Sequence, residues 1–315
     1  MALEVPINFQ EKKSRGTERF FAIVNPAAGG GRSAKLAGPA LERLRAAGLE
    51  IDVVATNASG DAVWIAREAY QQGYRRFIAV GGDGTCHEIL NGIFSGGAAV
   101  KRVALGFLPL GTGNSFLRDY TRDGAGASMQ ALLERRTRPI DLMRLTHAAG
   151  ELYSFNLISM GFTANVGALT NRYFKPFGHL GYLLGVLVRL AQLRPLTFAV
   201  RCDDDKEWDR RPCLFLTFNN SAYTGGTMWI APNADASDGL IEFVHWGPIG
   251  RIAALRMLPT IYDGKHMQHS QASRRAVRQV EFDMPQAVDV MVDGEVLPLK
   301  CQTLDIQPGA LDVYI

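Results

Sequence analysis

The sequence predicts an α/β nucleotide-binding domain with a parallel sheet, joined to a second domain that is an antiparallel β-sandwich. Three observations carry this. Short apolar runs alternate with helix-length segments from Phe20 to about Arg138, the pattern of βαβ units. Two glycine-rich loops, Gly81-Gly82-Asp83-Gly84-Thr85 and Gly111-Thr112-Gly113-Asn114, each follow such a run. From Thr137 the texture changes to many short strands separated by turn residues, as in a sandwich. A length of 315 residues suits two domains better than one core, and the boundary is placed near Arg138.

Composition removes several classes. With 47% hydrophobic and 21% charged residues the chain reads as an ordinary soluble globular protein. A net charge of +3, with no basic run interleaved with aromatics, argues against a nucleic-acid partner. Cys86, Cys202, Cys213 and Cys301 form no CxxC pair, so they read as reduced thiols rather than a disulfide framework or zinc site. Met1–Arg19 is polar and holds no apolar core, so no signal peptide is expected and the location is cytoplasmic.

Taken in order, Phe20–Val24 is the first buried strand. It ends in Asn25-Pro26-Ala27-Ala28-Gly29-Gly30-Gly31. A helix over about 33–47, a strand Ile51–Ala55 and a helix Ala62–Gln72 follow. Phe77–Val80 is the central strand, apolar at every position as a strand covered on both faces must be. The glycines after it let backbone approach a ligand closely. Thr85-x-x-Glu88 reads as a capping box that opens the next helix. Glycine loop and helix start together aim free N–H groups at an anion, usually phosphate. Asp83 in that loop is costly beside phosphates unless it handles Mg²⁺ or the proton of an attacking hydroxyl. The alternative is a glycine-rich turn in which Asp83 only caps the helix.

A fourth strand, Val103–Leu108, leads into the second glycine loop and a further helix start. In parallel sheets ligands sit at the carboxyl ends of the strands, where Asn25, Gly29, Thr56, Gly60 and Gly82 fall together. Two glycine loops at neighbouring strand ends suit opposite sides of one triphosphate. Beyond the boundary the expected strands are Pro139–Leu145, Leu152–Ile158, Leu196–Cys202, Cys213–Asn219, Leu240–His245, Gln279–Phe282, Ala287–Val292 and Leu304–Ile306.

Asn25-Pro26 with its glycines, the Gly81–Thr85 loop and Gly111–Asn114 resemble the nucleotide-binding motifs of the diacylglycerol kinase catalytic superfamily, which includes sphingosine and ceramide kinases. NAD kinases and phosphofructokinases share a related GGDG loop. The second half separates them: Asn219-Asn220 through Gly225-Gly226, Asp238-Gly239-Leu240, Asp293-Gly294-Glu295 and Pro308-Gly309-Ala310-Leu311 are similar to that superfamily's second domain. The resemblance implies transfer of the γ-phosphoryl of ATP, with Mg²⁺, to a lipid hydroxyl in a site between the domains. It further implies domains of residues 18–138 and 139–307, with 308–315 returning to the first sheet. Diacylglycerol is the default acceptor, a ceramide or sphingoid base the alternative. A non-catalytic lipid- or nucleotide-binding module of the same fold is the competing class.

The same resemblance makes Asp83 and Glu295 the catalytic carboxylates, with Asp293 alongside. Asn25, Pro26, Gly29, Thr56, Gly81, Gly82, Gly84, Thr85, Glu88, Gly111, Thr112, Gly113 and Asn114 are then the nucleotide contacts. Asp83 and Asp238 are the metal ligands, and Phe162, Asn165, Leu183 and Leu187 the lipid contacts. The chain departs from the pattern at His87, Ser115, Ser237 and Asn165, where members carry Asn or acidic residues; Asp119 is a substitute for the carboxylate missing at Ser115. His87 reads as a solvated helix residue. An uncharged Asn165 disfavours an amine headgroup. The apolar stretch from Leu180 to Val188 is too short to span a bilayer, which takes ~20 residues. It reads as a helix packed on the sandwich or as an interfacial helix that gates lipid entry. Arg274, Arg275 and Arg278 read either as facing anionic lipid or as an ordinary solvated loop. The expected protein is peripheral to the membrane; its oligomeric state is left open, a homodimer included.

Overall fold

The structure, a computed structural model, describes residues 19–96, 102–111, 114–169, 185–186 and 188–315. Its first four strands are β1 (Phe20–Val24), β2 (Ile51–Ala55), β3 (Arg76–Gly81) and β4 (Ala104–Pro109), parallel in the order β2-β1-β3-β4. The helices α1 (Arg32–Ala46), α2 (Asp61–Gln71), α3 (Asp83–Phe94) and α4 (Gly124–Leu133) cover both faces. Successive strand residues point to opposite faces, so each apolar run feeds two cores. Phe20, Ala22, Ile78 and Val80 pack against Leu41 and Leu44 of α1 and Leu132 of α4. Phe21, Ile23, Phe77 and Ala79 pack against Ile65 and Ala69 of α2 and Ile89 and Ile93 of α3. The α/β class is as the sequence predicts.

The sheet does not stop at β4. Its next strand is β17 (Cys301–Tyr314), with Asp312 and Val313 parallel to Ala104 and Leu105. Along nearly its whole length, Asp312 and Val313 included, β17 also runs antiparallel beside β5 (Thr137–His147), and its first half pairs with β14 (Gln279–Asp283). β6 (Gly150–Ser154) extends from β5, and β9 (Ala199–Cys202) from β14. Among the described residues this one sheet has nine strands, parallel at one end and antiparallel at the other.

The second sheet is antiparallel throughout. It is made of β7 (Leu157–Gly161), β11 (Phe215–Asn219), β12 (Ile241–Trp246), β13 (Ala272–Val277), β15 (Val288–Val292) and β16 (Glu295–Leu299), in the order β13-β12-β11-β7-β15-β16. Met160, Phe218 and Val290 from it meet Leu145, Val280 and Leu304 from the first sheet, which is the core of the sandwich. A short ribbon of β8 (Leu196–Thr197) and β10 (Pro212–Cys213) and two helices, α5 (Phe162–Leu169) and α6 (Arg251–Met257), complete this half.

Four local expectations are corrected. Leu152–Ile158 is two strands on different sheets, because the chain turns a corner at Phe155-Asn156. The second glycine loop leads into a short 3₁₀ turn, Phe116–Asp119, and the next helix starts only after Asp123, whose carboxylate accepts from Gly126 N at 3.3 Å. Pro308-Gly309 does not end a strand; β17 runs through it with a register shift. Arg274 and Arg275 lie on β13 and are ion-paired, to Glu242 and to Asp205, so they form neither a solvated loop nor a free basic patch.

The irregularity in β17 has a specific support. Asp141 on β5 is buried, and its two carboxylate oxygens accept from Gly309 N and Gly239 N, each at 2.7 Å. Pro308 has no N–H and Gly309 sits at φ 59°, so neither residue could continue a regular ladder. Asp141→Ala removes the acceptor that holds the exposed Gly309 and half-buried Gly239 amides. It is expected to cost about 1–3 kcal/mol, read as a lower midpoint in urea unfolding at unchanged slope.

Candidate active site

Three loops converge at the carboxyl ends of β1, β3 and β4. Asn25 turns the first: its Oδ1 accepts from Ala27 N (3.1 Å) across Pro26, and its Nδ2 donates to Thr85 Oγ1 (3.4 Å) in the second loop. The glycines bring backbone onto backbone. A Cβ on Gly111 would lie 2.6 Å from Gly82 Cα, and one on Gly29 would overlap the Leu110 carbonyl oxygen. Gly111 N donates to Gly81 O at 2.9 Å, and Asn114 Nδ2 donates to Gly111 O at 3.1 Å. Thr112 and Gly113 lie outside the described residues. Thr56 ends β2 one strand away, its N–H on Val24 O at 2.8 Å.

Three helices start around these loops, and their N-termini differ. Neither α1 nor α3 has a side-chain cap. Their first turns are therefore electropositive ends suited to an anion. α2 is occupied: Glu88 accepts from Gly60 N (3.0 Å) and Ala62 N (3.1 Å). The capping box is thus corrected. α3 begins at Asp83, two residues before Thr85, which turns Glu88 outward onto the neighbouring helix. Sequence reasoning missed Arg32, whose Nη2 donates to Gly111 O at 3.4 Å. The Gly-Gly-Gly-Arg run was the available signal.

Asp83 is the first residue of α3, and its Oδ2 accepts from Ser115 N at 2.8 Å. Burial, opposed by the Ser115 and Phe116 hydrogen bonds and reinforced by the charge of Asp293, pushes its pKa up to about 6. Ser115 itself is buried, and its Oγ accepts from Gly226 N at 2.8 Å, tying the glycine loop to the second domain. Asp119 does not turn toward Asp83; its Oδ2 accepts from Ala222 N at 3.1 Å, and burial raises its pKa to about 6.

Asp293 enters from the turn between β15 and β16 at φ 49°. Its Oδ1 accepts from Ser154 Oγ (2.6 Å), Asn156 N (3.0 Å) and Leu157 N (3.1 Å), and its Oδ2 from Phe155 N (3.3 Å). These bonds make the corner that separates β6 from β7. His87 Nδ1 stands 3.2 Å from the same Oδ2, and His87 is 6% exposed, which corrects its reading as a solvated residue. Asn91, one turn on, brackets Tyr153 of β6 with its Oδ1 on Tyr153 N (2.8 Å) and its Nδ2 on Tyr153 O (2.9 Å). Glu295, two residues past Asp293, is exposed and reaches back over α3: its Oε1 lies 3.6 Å from where a Cβ on Gly84 would be. Glu295 therefore reaches the start of α3, beside the residue that follows Asp83, while Asp293 lies close enough for its charge to raise the Asp83 pKa.

Asp238 is not drawn into this group. It is exposed, its Oδ1 accepts from Leu240 N at 2.9 Å, and its charged neighbours are Asp235 and Asp141. Among the described residues no three His, Cys, Asp or Glu side chains are grouped to hold a metal ion.

Gly294, between the two carboxylates, borders an apolar cavity of about 730 Å³ in the second domain. Phe162, Leu190, Phe215, Ile230, Trp246 and Met257 supply much of its wall, and among the described residues no charged side chain lines it. Phe162, expected as a lipid contact, is one of the residues of this wall. Asn165 instead lines a neighbouring cleft. Leu183 and Leu187 lie outside the described residues, as do residues 170–182 and 184.

The two halves match two known domains. Residues 19–145 match the diacylglycerol kinase catalytic domain, and residues 156–315 the YegS C-terminal NAD kinase beta sandwich-like domain. The chain is 30% identical over 296 residues to a diacylglycerol kinase of Mycobacterium tuberculosis, covering 93% of each. It is 32% identical over 273 residues, 86% of each chain, to a Pseudomonas aeruginosa protein described as a "Probable lipid kinase YegS-like". A solved diacylglycerol kinase structure from Bacillus anthracis shares the fold at a TM-score of 0.70 and 18% identity, covering 94% of this chain and 96% of that one. The chain belongs to the diacylglycerol kinase catalytic-domain family. It is a lipid kinase, which sets aside the non-catalytic reading.

Proposed function

We propose that this lipid kinase transfers the γ-phosphoryl of ATP to the hydroxyl of a neutral membrane lipid, diacylglycerol by default. The observation that carries the reading is the uncharged cavity ending at Gly294, one residue from the Glu295 carboxylate that lies over Gly84 and the Asp83 loop. Such a cavity suits acyl chains, and its volume falls in the usual range for ligand sites, about 300–1,000 Å³. Ceramide is the second reading, since it too is neutral. A sphingoid base is disfavoured, because a desolvated ammonium would find no carboxylate among the described residues of the lining.

Residues 18–138 with 308–315 are taken as the nucleotide side and 139–307 as the acceptor side. Asn25, Pro26, Gly29, Thr56, Gly81, Gly82, Gly84, Thr85, Gly111, Thr112, Gly113 and Asn114 would surround the phosphates and nucleoside, joined by Arg32. Glu88 acts indirectly by fixing the start of α2. Glu295, exposed at the cavity end, orients and deprotonates the acceptor hydroxyl, and Asp293 positions the turn that carries it. Asp83 faces the phosphates. Mg²⁺ fits there because that ion usually takes one or two carboxylates plus substrate phosphates rather than an all-protein cage. Bound with the nucleotide, it would neutralise phosphate charge. The protein would work at the cytoplasmic membrane surface without spanning it; among the described residues no helix is long and apolar enough to cross.

The test is transfer from labelled ATP to diacylglycerol, ceramide and sphingosine in matched neutral detergent micelles. The expected order is diacylglycerol and ceramide well above sphingosine. Glu295→Gln should lower transfer by about 10²–10⁴-fold, the usual worth of a general base. Its nucleotide affinity should stay within about twofold. Lost nucleotide affinity with transfer preserved would place Glu295 on the wrong substrate.

A further inference from the structure

Beside the acyl cavity lies a second cleft of about 580 Å³ whose character is opposite. Phe162 and Leu214 belong to both walls, so the two spaces are neighbours. Arg189, Arg194 and Arg251 line the second cleft, and among the described residues no carboxylate does. Arg189 is held by uncharged partners, its Nε on Asn165 O at 3.2 Å and its Nη1 on Gln192 Oε1 at 3.4 Å. Among the described residues none of the three arginines has an ion-pair partner, unlike the arginines of β13. Arg251 opens α6, whose first turn has no acidic residue. A cation at that end opposes the helix dipole, so local helix stability does not account for it.

The surroundings suit a bilayer. The face of α6 turned away from the cavity exposes Ile252 (69%) and Leu255 (47%); Tyr262 (56%), on the cavity wall, and Val188 (39%), next to Arg189 in the chain, are exposed too. Large apolar side chains exposed next to unpaired guanidinium groups are the combination that an anionic lipid surface satisfies, since acyl chains and phosphates are then met together.

We infer that the Arg189–Arg194–Arg251 cleft is a subsite for the phosphate of an anionic phospholipid, and that with the exposed face of α6 it seats the kinase on the membrane with its acyl cavity open to the bilayer. This rests on the lipid-kinase reading for its purpose, though not for its test. The subsite is distinct from the nucleotide loops and binds a lipid that is not phosphorylated. Guanidinium groups suit it because they pair two N–H donors with two phosphate oxygens.

The experiment is sedimentation of the full chain with vesicles of phosphatidylcholine alone and with one-fifth phosphatidylglycerol. The wild type should bind the anionic vesicles far better. Arg194→Ala with Arg251→Ala should weaken that binding on the order of thirty-fold, from the usual worth of two basic residues at an anionic surface. Both residues are exposed and outside the nucleotide site, so transfer to diacylglycerol in neutral micelles should be unchanged. A control pair, Lys35→Ala with Arg43→Ala on α1, removes the same charge elsewhere and should leave vesicle binding intact. Equal losses in the two pairs would reduce the effect to net charge and overturn the subsite, as would wild-type binding by the cleft variant. If inorganic phosphate at millimolar concentration abolishes vesicle binding, the cleft is a free-phosphate site and the lipid assignment fails. Absence of kinase activity with the vesicle pattern intact would count against the proposed reaction and not against this cleft.

Discussion

Asp83→Asn is expected to abolish phosphoryl transfer while making the protein no less stable. The two halves of that expectation come from one property. Asp83 is raised to about 6 mainly by burial, against an ordinary value of 3.8. A group raised in the folded state binds its proton more tightly there, so stability falls as pH rises from about 4 to about 6 and the full cost is carried above that. The shift corresponds to on the order of 1–3 kcal/mol at pH 7, allowing for partial solvent access. Asparagine removes the cost and still accepts from Ser115 N. Melting at pH 7 should therefore hold or rise, while initial rates drop by three orders of magnitude or more. If ionised Asp83 serves the reaction, the wild-type rate should climb with pH through about 6. Near-normal turnover in the variant, or a rate that is flat across that range, would remove Asp83 from the chemistry.

The second large effect belongs to Asp293. Its carboxylate accepts four hydrogen bonds from the Ser154–Leu157 corner and faces His87 across the domain boundary. Asp293→Asn keeps the shape and tolerates the left-handed backbone, so it isolates the hydrogen bonds from strain. An amide cannot accept at both ends, and its NH₂ must face buried donors. The expected loss is about 2–5 kcal/mol in chemical denaturation, large because a buried network is broken on one side only. Activity measured well below the new midpoint should also fall, since Glu295 hangs from the same turn. A variant with wild-type stability would mean that the corner is held by something other than Asp293.

The sequence made the parallel core legible because those strands are apolar on both faces, and runs such as Phe77–Val80 have no other common use. It was less informative where side chains sit at sheet edges. β13, with Ser273, Arg274 and Arg275, and β16, with Pro298, are edge strands whose outward positions need not be apolar, so neither stood out. The capping box failed for a local reason: a glycine can open a helix without a side-chain cap, so α3 starts earlier than Thr85 suggests. His87 was misread because helix position was judged without its neighbours. α3 is buried at nine of its twelve positions, between the sheet, α2 and β6, and on such a helix even a histidine must find a partner inside. In the site, Asp83 and Glu295 were readable as residues. The reach of Glu295 over Gly84 was not, since it depends on a turn more than two hundred positions away.

β17 has a consequence for how the chain reaches this state. The edge of β4 is closed only by Asp312 and Val313, about two hundred residues further along. At elongation rates of ~5–20 residues per second that interval lasts on the order of 10–40 s. Until β17 is made, the first four strands present an open edge, and the β5 hairpin has no strand to lie against. Neither half can close its sheet early, so the nucleotide half and the acceptor half should acquire native hydrogen-exchange protection together, as one late cooperative event, rather than as two beads folding in turn.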